Sequence, residues 1–165
     1  AHGAISYDDN GIAHINHNKC VGCGRCIGIC NFDAIKSPND EANDVLNKKM
    51  AEYALAVVKD RPQFHVSLIC DVSPNCDCHS ENDAPIVPNI GMLASFDPVA
   101  LDKACADLVN SQEALSNSRL SENIEKNIKE KDNIHINHPE TNWESQIEHG
   151  EKIGLGTSNY ELIKI

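Results

Sequence analysis

Cys20, Cys23, Cys26 and Cys30, set in KCVGCGRCIGICNF, constrain this chain more than any other stretch. Thiols at positions one, four and seven of a loop are poorly placed to pair as disulfides. They are well placed to converge on one inorganic centre. Gly22 and Gly24 lie between them, where the missing Cβ lets backbone N–H groups approach the sulfurs of such a centre.

The C-x-x-C-x-x-C-x-x-x-C spacing is that of a bacterial ferredoxin and points to a 4Fe–4S cluster. Structural zinc favours separated C-x-x-C pairs instead. In two-cluster ferredoxins the first three cysteines hold one cluster and the fourth reaches another. This chain has one such run, and Asn31 stands where that run normally continues with proline. The remaining ligands are expected from NCDCH, where Cys76 and Cys78 sit too close for a relaxed disulfide. The competing reading is an accidental surface pair, which oxidation disfavours. The metal-ligand set is therefore Cys20, Cys23, Cys26, Cys30, Cys76 and Cys78, with one 4Fe–4S cluster or two, and loops 20–30 and 76–78 are expected to meet. Cys105 lies on an apolar stripe with Leu101, Ala104 and Leu108 and reads as core. Cys70 closes a strand-like run and reads as core first, ligand second.

Eight cysteines without a signal-peptide pattern fit metal ligation in a reducing cytoplasm, as in an anaerobe, better than a disulfide framework. The formal charge is −11 with no Lys/Arg cluster, which argues against nucleic acid or an anionic membrane as partner. No run approaches the roughly 18 apolar residues of a spanning helix.

Strand-like and helical segments alternate along the chain. Residues 12–16, 64–69, 90–95 and 160–165 read as strands, and Ala34–Ile35 as a short exit from the cysteine loop. A helix from Asn39 or Asp40 to Val58 is expected to bury Ala42, Val45, Leu46, Met50, Tyr53, Ala54 and Val57. A second is expected to start at Asp97 as N-cap, with Pro98 in the first turn. A third opens with capping-box spacing at Thr141–Glu144 and ends near Gly154. Residues 111–133 read as a polar, weakly helical excursion. HINH occurs at 14–17 and 135–138, both times in strand-like alternation, and these histidines read as hydrogen-bonded rather than metal-binding. The pattern predicts one α/β domain over residues 1–165: a mixed sheet with flanking helices, a ferredoxin-like iron–sulfur segment over about 12–36 and a Cys-Asp-Cys loop over about 71–85.

HINHNKCVGCGRCIGICNFDAI, DVSPNCDCHSENDAPIVPNIGMLASFDPVALDKACADLVN and EHGEKIGLGTSNYELIKI together resemble the domain-of-unknown-function 362 family of ferredoxin-like iron–sulfur proteins. Residues 111–133 match least. The resemblance implies that this is the C-terminal portion of a longer protein whose N-terminal half is a partner. It implies no reaction.

Three functions follow. The first is electron transfer to a redox partner protein, as a domain or subunit rather than a stand-alone enzyme. The second is a redox enzyme domain with a pocket beside the cluster, using His79, Asp77, Asp83 or Asp97. Asp97 also reads as a helix cap, and Asp71 and Asp83 as turn formers. The third is a cluster that staples loops or senses redox state.

Overall fold

A computed structural model describes residues 2–30, 34–35, 42–76, 82–126 and 130–165. The chain divides into two compact units, Ala1–Lys36 and Ser37–Ile165. In the first, β1 (Ile5–Tyr7) and β2 (Ala13–Ile15) form an antiparallel hairpin with Ile5 opposite Ile15 and Tyr7 opposite Ala13. β2 falls within the expected strand, whereas β1 has no counterpart in the sequence reading. Its signal is Asn10–Gly11, a pair that favours the left-handed backbone of tight hairpins; Gly11 has φ 77°. Asp8 organises the turn. Its Oδ1 accepts from the amides of Asn10 and Ile12 at 2.9 and 2.8 Å, and Oδ2 lies 3.2 Å from His14 Nε2. The Ile12 amide first, then His14, hold this carboxyl below the usual range.

The second unit is built round α3 (Pro98–Asn110). One face of the ladder of β3 (His65–Ile69) and β4 (Gly91–Ser95) packs on it, with Val66 opposite Ala94 and Ser67 opposite Leu93. Ile69, Ile86, Val87, Val109, Leu120 and Ile136 close the core. Asp97 caps α3 as expected: its Oδ1 accepts from the amides of Val99 and Ala100 at 2.9 and 3.0 Å, with Pro98 in the first turn. Thr157 adds a third donor at 2.8 Å, to Oδ2, tying the C-terminal segment to the helix start.

The mixed α/β content matches expectation, but the single mixed sheet does not. The described strands form two separate antiparallel pairs, one in each unit. A parallel neighbour needs a crossover connection, usually a helix; among the described residues between β3 and β4 there is none. Residues 160–165 carry strand-like alternation but pair with no strand among the described residues, and Ala34–Ile35 have no regular structure.

Three helical expectations need correction. α2 (Ala42–Val58) packs on α6 (Glu144–Lys152) through Asn47, Ala51 and Ala54, so of the expected stripe Ala54 lies on the packed side while its larger members do not. Ala51 is 3% exposed, while Tyr53 is 73% exposed and Val45, Leu46, Met50 and Val57 also face outward. Small residues allow close approach of the two helices. Asn47 Nδ2 also donates to Asn142 O at 2.7 Å and to Ser145 Oγ at 3.1 Å, so its polarity is satisfied there. The start expected at Asn39 or Asp40 lies outside the described residues. Second, the HINH at 135–138 lies mostly in α5 (Asn133–Asn137), a helix and not a strand, because Asp132 caps it at the His135 amide (2.9 Å) and Asn133 bonds the carbonyls of Val109 and Gln112. Third, residues 111–133 are partly helical as expected, as α4 (Arg119–Lys126), but they are not merely a polar excursion: Leu120 is fully buried in the core.

α6 ends as expected: Gly154 takes φ 78° and the Leu155 amide returns to Gly150 O at 2.9 Å. Its capping box does not form, since Thr141 Oγ1 donates backward to His138 O at 2.9 Å. Among the described residues, no helix is long and apolar enough to cross a membrane.

Candidate metal centre

The cysteine run leaves β2 through a turn at Asn16, whose carbonyl accepts from the amides of Lys19 and Cys20, both at 3.0 Å. Gly22 and Gly24 then take φ 68° and 67°, and the short helix α1 (Arg25–Gly28) follows directly. A β-carbon at either glycine would meet nothing within 4 Å, so glycine is favoured there by backbone conformation alone. Cys20 and Cys23 are exposed; Cys26 and Cys30 are half-buried. Among the described residues, the amides of Val21 through Cys26 meet no hydrogen-bond acceptor. Consecutive open N–H groups of this kind suit an anionic group.

The donor set and loop thus fit an iron–sulfur cluster in chemistry: soft thiol ligands, left-handed glycine bends between them and unengaged amides around them. The described side chains are not themselves gathered for ligation. No three His, Cys, Asp or Glu among them form a group that could hold a metal ion.

In the second unit, Cys70 is exposed just past the end of β3, which corrects its reading as core. The apolar pattern of the strand breaks one residue earlier, because Ile69 turns into the core and Asp71 adopts a left-handed φ of 50°. Cys76 is also exposed. Cys78, with Asp77 and His79, lies outside the described residues. Asn75 and Asn82 bracket that stretch with two bonds. The Asn75 amide donates to Asn82 Oδ1, and Asn82 Nδ2 returns to Asn75 O, each at 3.2 Å. Arg119 Nη1 donates to Asn75 Oδ1 at 2.7 Å, and the buried Pro74 offers its carbonyl to Asn137 Nδ2 and His138 Nε2. The neck of the Cys-Asp-Cys loop is therefore fastened to α4 and α5. No sequence motif announces this clasp, since two asparagines in a loop rich in polar residues carry no distinguishing pattern.

The other candidates have structural tasks. Asp97 is a cap and a tether. Asp83 Oδ1 accepts from the Ala84 amide at 2.7 Å, and the Asp71 amide is held by Asn89 Oδ1 at 2.8 Å. His14 bonds Asp8, and His138 Nδ1 lies 3.2 Å from Glu140. Cys105 is half-buried against the core; burial pushes its thiol up, partly offset by a hydrogen bond with Ser67.

A family model described as Domain of unknown function (DUF362) matches residues 2–107, a span that holds all eight cysteines. No curated protein and no solved structure matches the chain.

Proposed function

The chain belongs to the family described as Domain of unknown function (DUF362), and from that premise we propose that it binds a 4Fe–4S cluster and serves in electron transfer. The observation that carries this reading is the cysteine run itself, presented on a loop with two left-handed glycines and open amides. In this reading Cys20, Cys23 and Cys26 are ligands, and Cys30, Cys76 and Cys78 complete one centre or divide between two. The exposure of Cys70 adds it to the donors on offer. When bound, such a cluster supplies one-electron redox chemistry at a potential set by its protein surroundings.

The chain's own residues contribute position and charge. Gly22 and Gly24 supply the left-handed bends of a loop whose amides are open, and N–H donors beside cluster sulfurs would stabilise added negative charge. The Asn75–Asn82 clasp and the Arg119 bond hold the backbone next to Cys76 in one place, so this proposed donor stands on a fixed neck. The net charge of −11 favours a redox partner protein with a basic docking face, an association that weakens with salt. Reduced thiols place the reading in a cytoplasm.

Anaerobic reconstitution with iron and sulfide tests the proposal. About four irons per chain means one cube and about eight means two, with a reversible one-electron couple on redox titration. A chain that takes up no acid-labile sulfide, or shows no such couple, sinks it.

A further inference from the structure

A cavity of about 370 Å³ opens in the second unit between β3, α3 and the start of α6. That lies in the size range of small-molecule sites. Ile69, Val72, Ile147 and the Trp143 ring make its apolar walls; Asp102 and Gln146 are its main polar groups. The indole is held in place before any ligand arrives. Its Nε1 donates to Asp132 Oδ2 at 2.8 Å, and Lys103 Nζ sits 5.6 Å from the ring centroid.

Asp102 is a carboxylate outside the ion pairs of the described residues. Lys103, the adjacent residue, is committed to Asp107 and to the Trp143 ring. Among the described residues Asp102 forms no ion pair, and its hydrogen bond is from Gln146 Nε2 to Oδ2 at 3.2 Å. Asp102 stands exposed at the mouth of the cavity, where the neighbouring walls strip part of its water and raise its pKa, against the lowering influence of His65 and Gln146. An acceptor-only group beside apolar walls selects a ligand that brings donors and positive charge.

We propose that this cavity binds a small organic ammonium, its charged head on Asp102 and its apolar body against Trp143, Ile147 and Val72. The site is separate from the cysteine chemistry: Cys105 touches the cavity but belongs to the core cluster. The acidic chain as a whole also attracts cations.

Trp143 is the sole tryptophan, so its fluorescence reports on the site in the full chain. The probes are 4-phenylbutylamine, the neutral 4-phenylbutanol and the anionic 4-phenylbutyrate at constant ionic strength. The amine should give a saturable change below about 10 mM, and Asp102→Asn should weaken it at least about tenfold while leaving the alcohol unchanged. The isosteric variant preserves side-chain volume, and circular dichroism checks its fold. The proposal is overturned by no saturable response to the amine, by equal amine binding in Asp102→Asn, or by butyrate binding as well as the amine. Because the readout involves no iron, its failure would leave the cluster reading standing, and the reverse.

Discussion

Replacing Gly156 with alanine should cost far more than an ordinary surface substitution, because of one carboxylate. A β-carbon there would lie 2.0 Å from Asp97 Oδ1 and 2.7 Å from its Cγ, well inside van der Waals contact. Relief requires the Asp97 carboxylate to swing away, but that group accepts three amides, from Val99, Ala100 and Thr157. Losing a helix N-cap costs about 1 kcal/mol, and losing a hydrogen bond to a charged group about 1.5–3 kcal/mol. Gly156→Ala should therefore destabilise the fold by about 2.5–4 kcal/mol. Urea unfolding of the full chain measures it, with Asp97→Ala as the second background. There the bonds are already gone and so are the obstructing atoms, so the added cost of Gly156→Ala should fall below about 1 kcal/mol. An equal penalty in both backgrounds would refute the reasoning, since the clash would then play no part.

Cys23→Ala should abolish iron uptake and the visible absorbance after reconstitution, while Cys105→Ala should cost about 1 kcal/mol of stability and keep its iron; iron loss from the second would show that residue to be a ligand. Gly24→Ala should strain the cysteine loop by about 1–2 kcal/mol through backbone conformation alone, since space for a methyl is open. Gly24→Asn should recover part of the iron lost, because asparagine tolerates a left-handed φ, and equal iron in all three proteins would count against the loop argument. The Asp102 pKa is raised on folding, so the stability it confers is full below the unfolded value near 3.8 and is lost as pH climbs through the folded value. Asp102→Asn should flatten that stretch of the stability–pH curve and be the more stable form at neutral pH; curves of identical shape would contradict this sign.

How far local pattern carried is visible in particular elements. Asp97–Pro98 announces the start of α3 because capping and proline preference act within one turn. β2, β3 and β4 emerge from short apolar runs for the same local reason. The buried side of α2 does not, since its apolar stripe suggests one face and its packing uses another. That choice depends on the surface offered by α6, where Ser145 and Gly150 are buried and Asn142 and Ser145 meet Asn47. HINH makes the point with identical residues: it contributes to β2 beside Ile5–Tyr7 and to α5 under an Asp132 cap. Four residues have too few internal interactions to decide their own conformation.

The sequence by itself determined the chemistry on offer: the number, type and spacing of thiols, the glycines among them, and the acidic balance of the chain. These follow from covalent order, so no folding event can change them. Tertiary structure decided which groups are spent on holding the fold. It made Asp97 a tether, Pro74 an acceptor for His138, and Asn75 and Asn82 a clasp, and it left Cys70 exposed and Asp102 outside the ion pairs of the described residues. Each of those outcomes depends on partners distant in sequence, and burial and hydrogen bonding act on what is near in space.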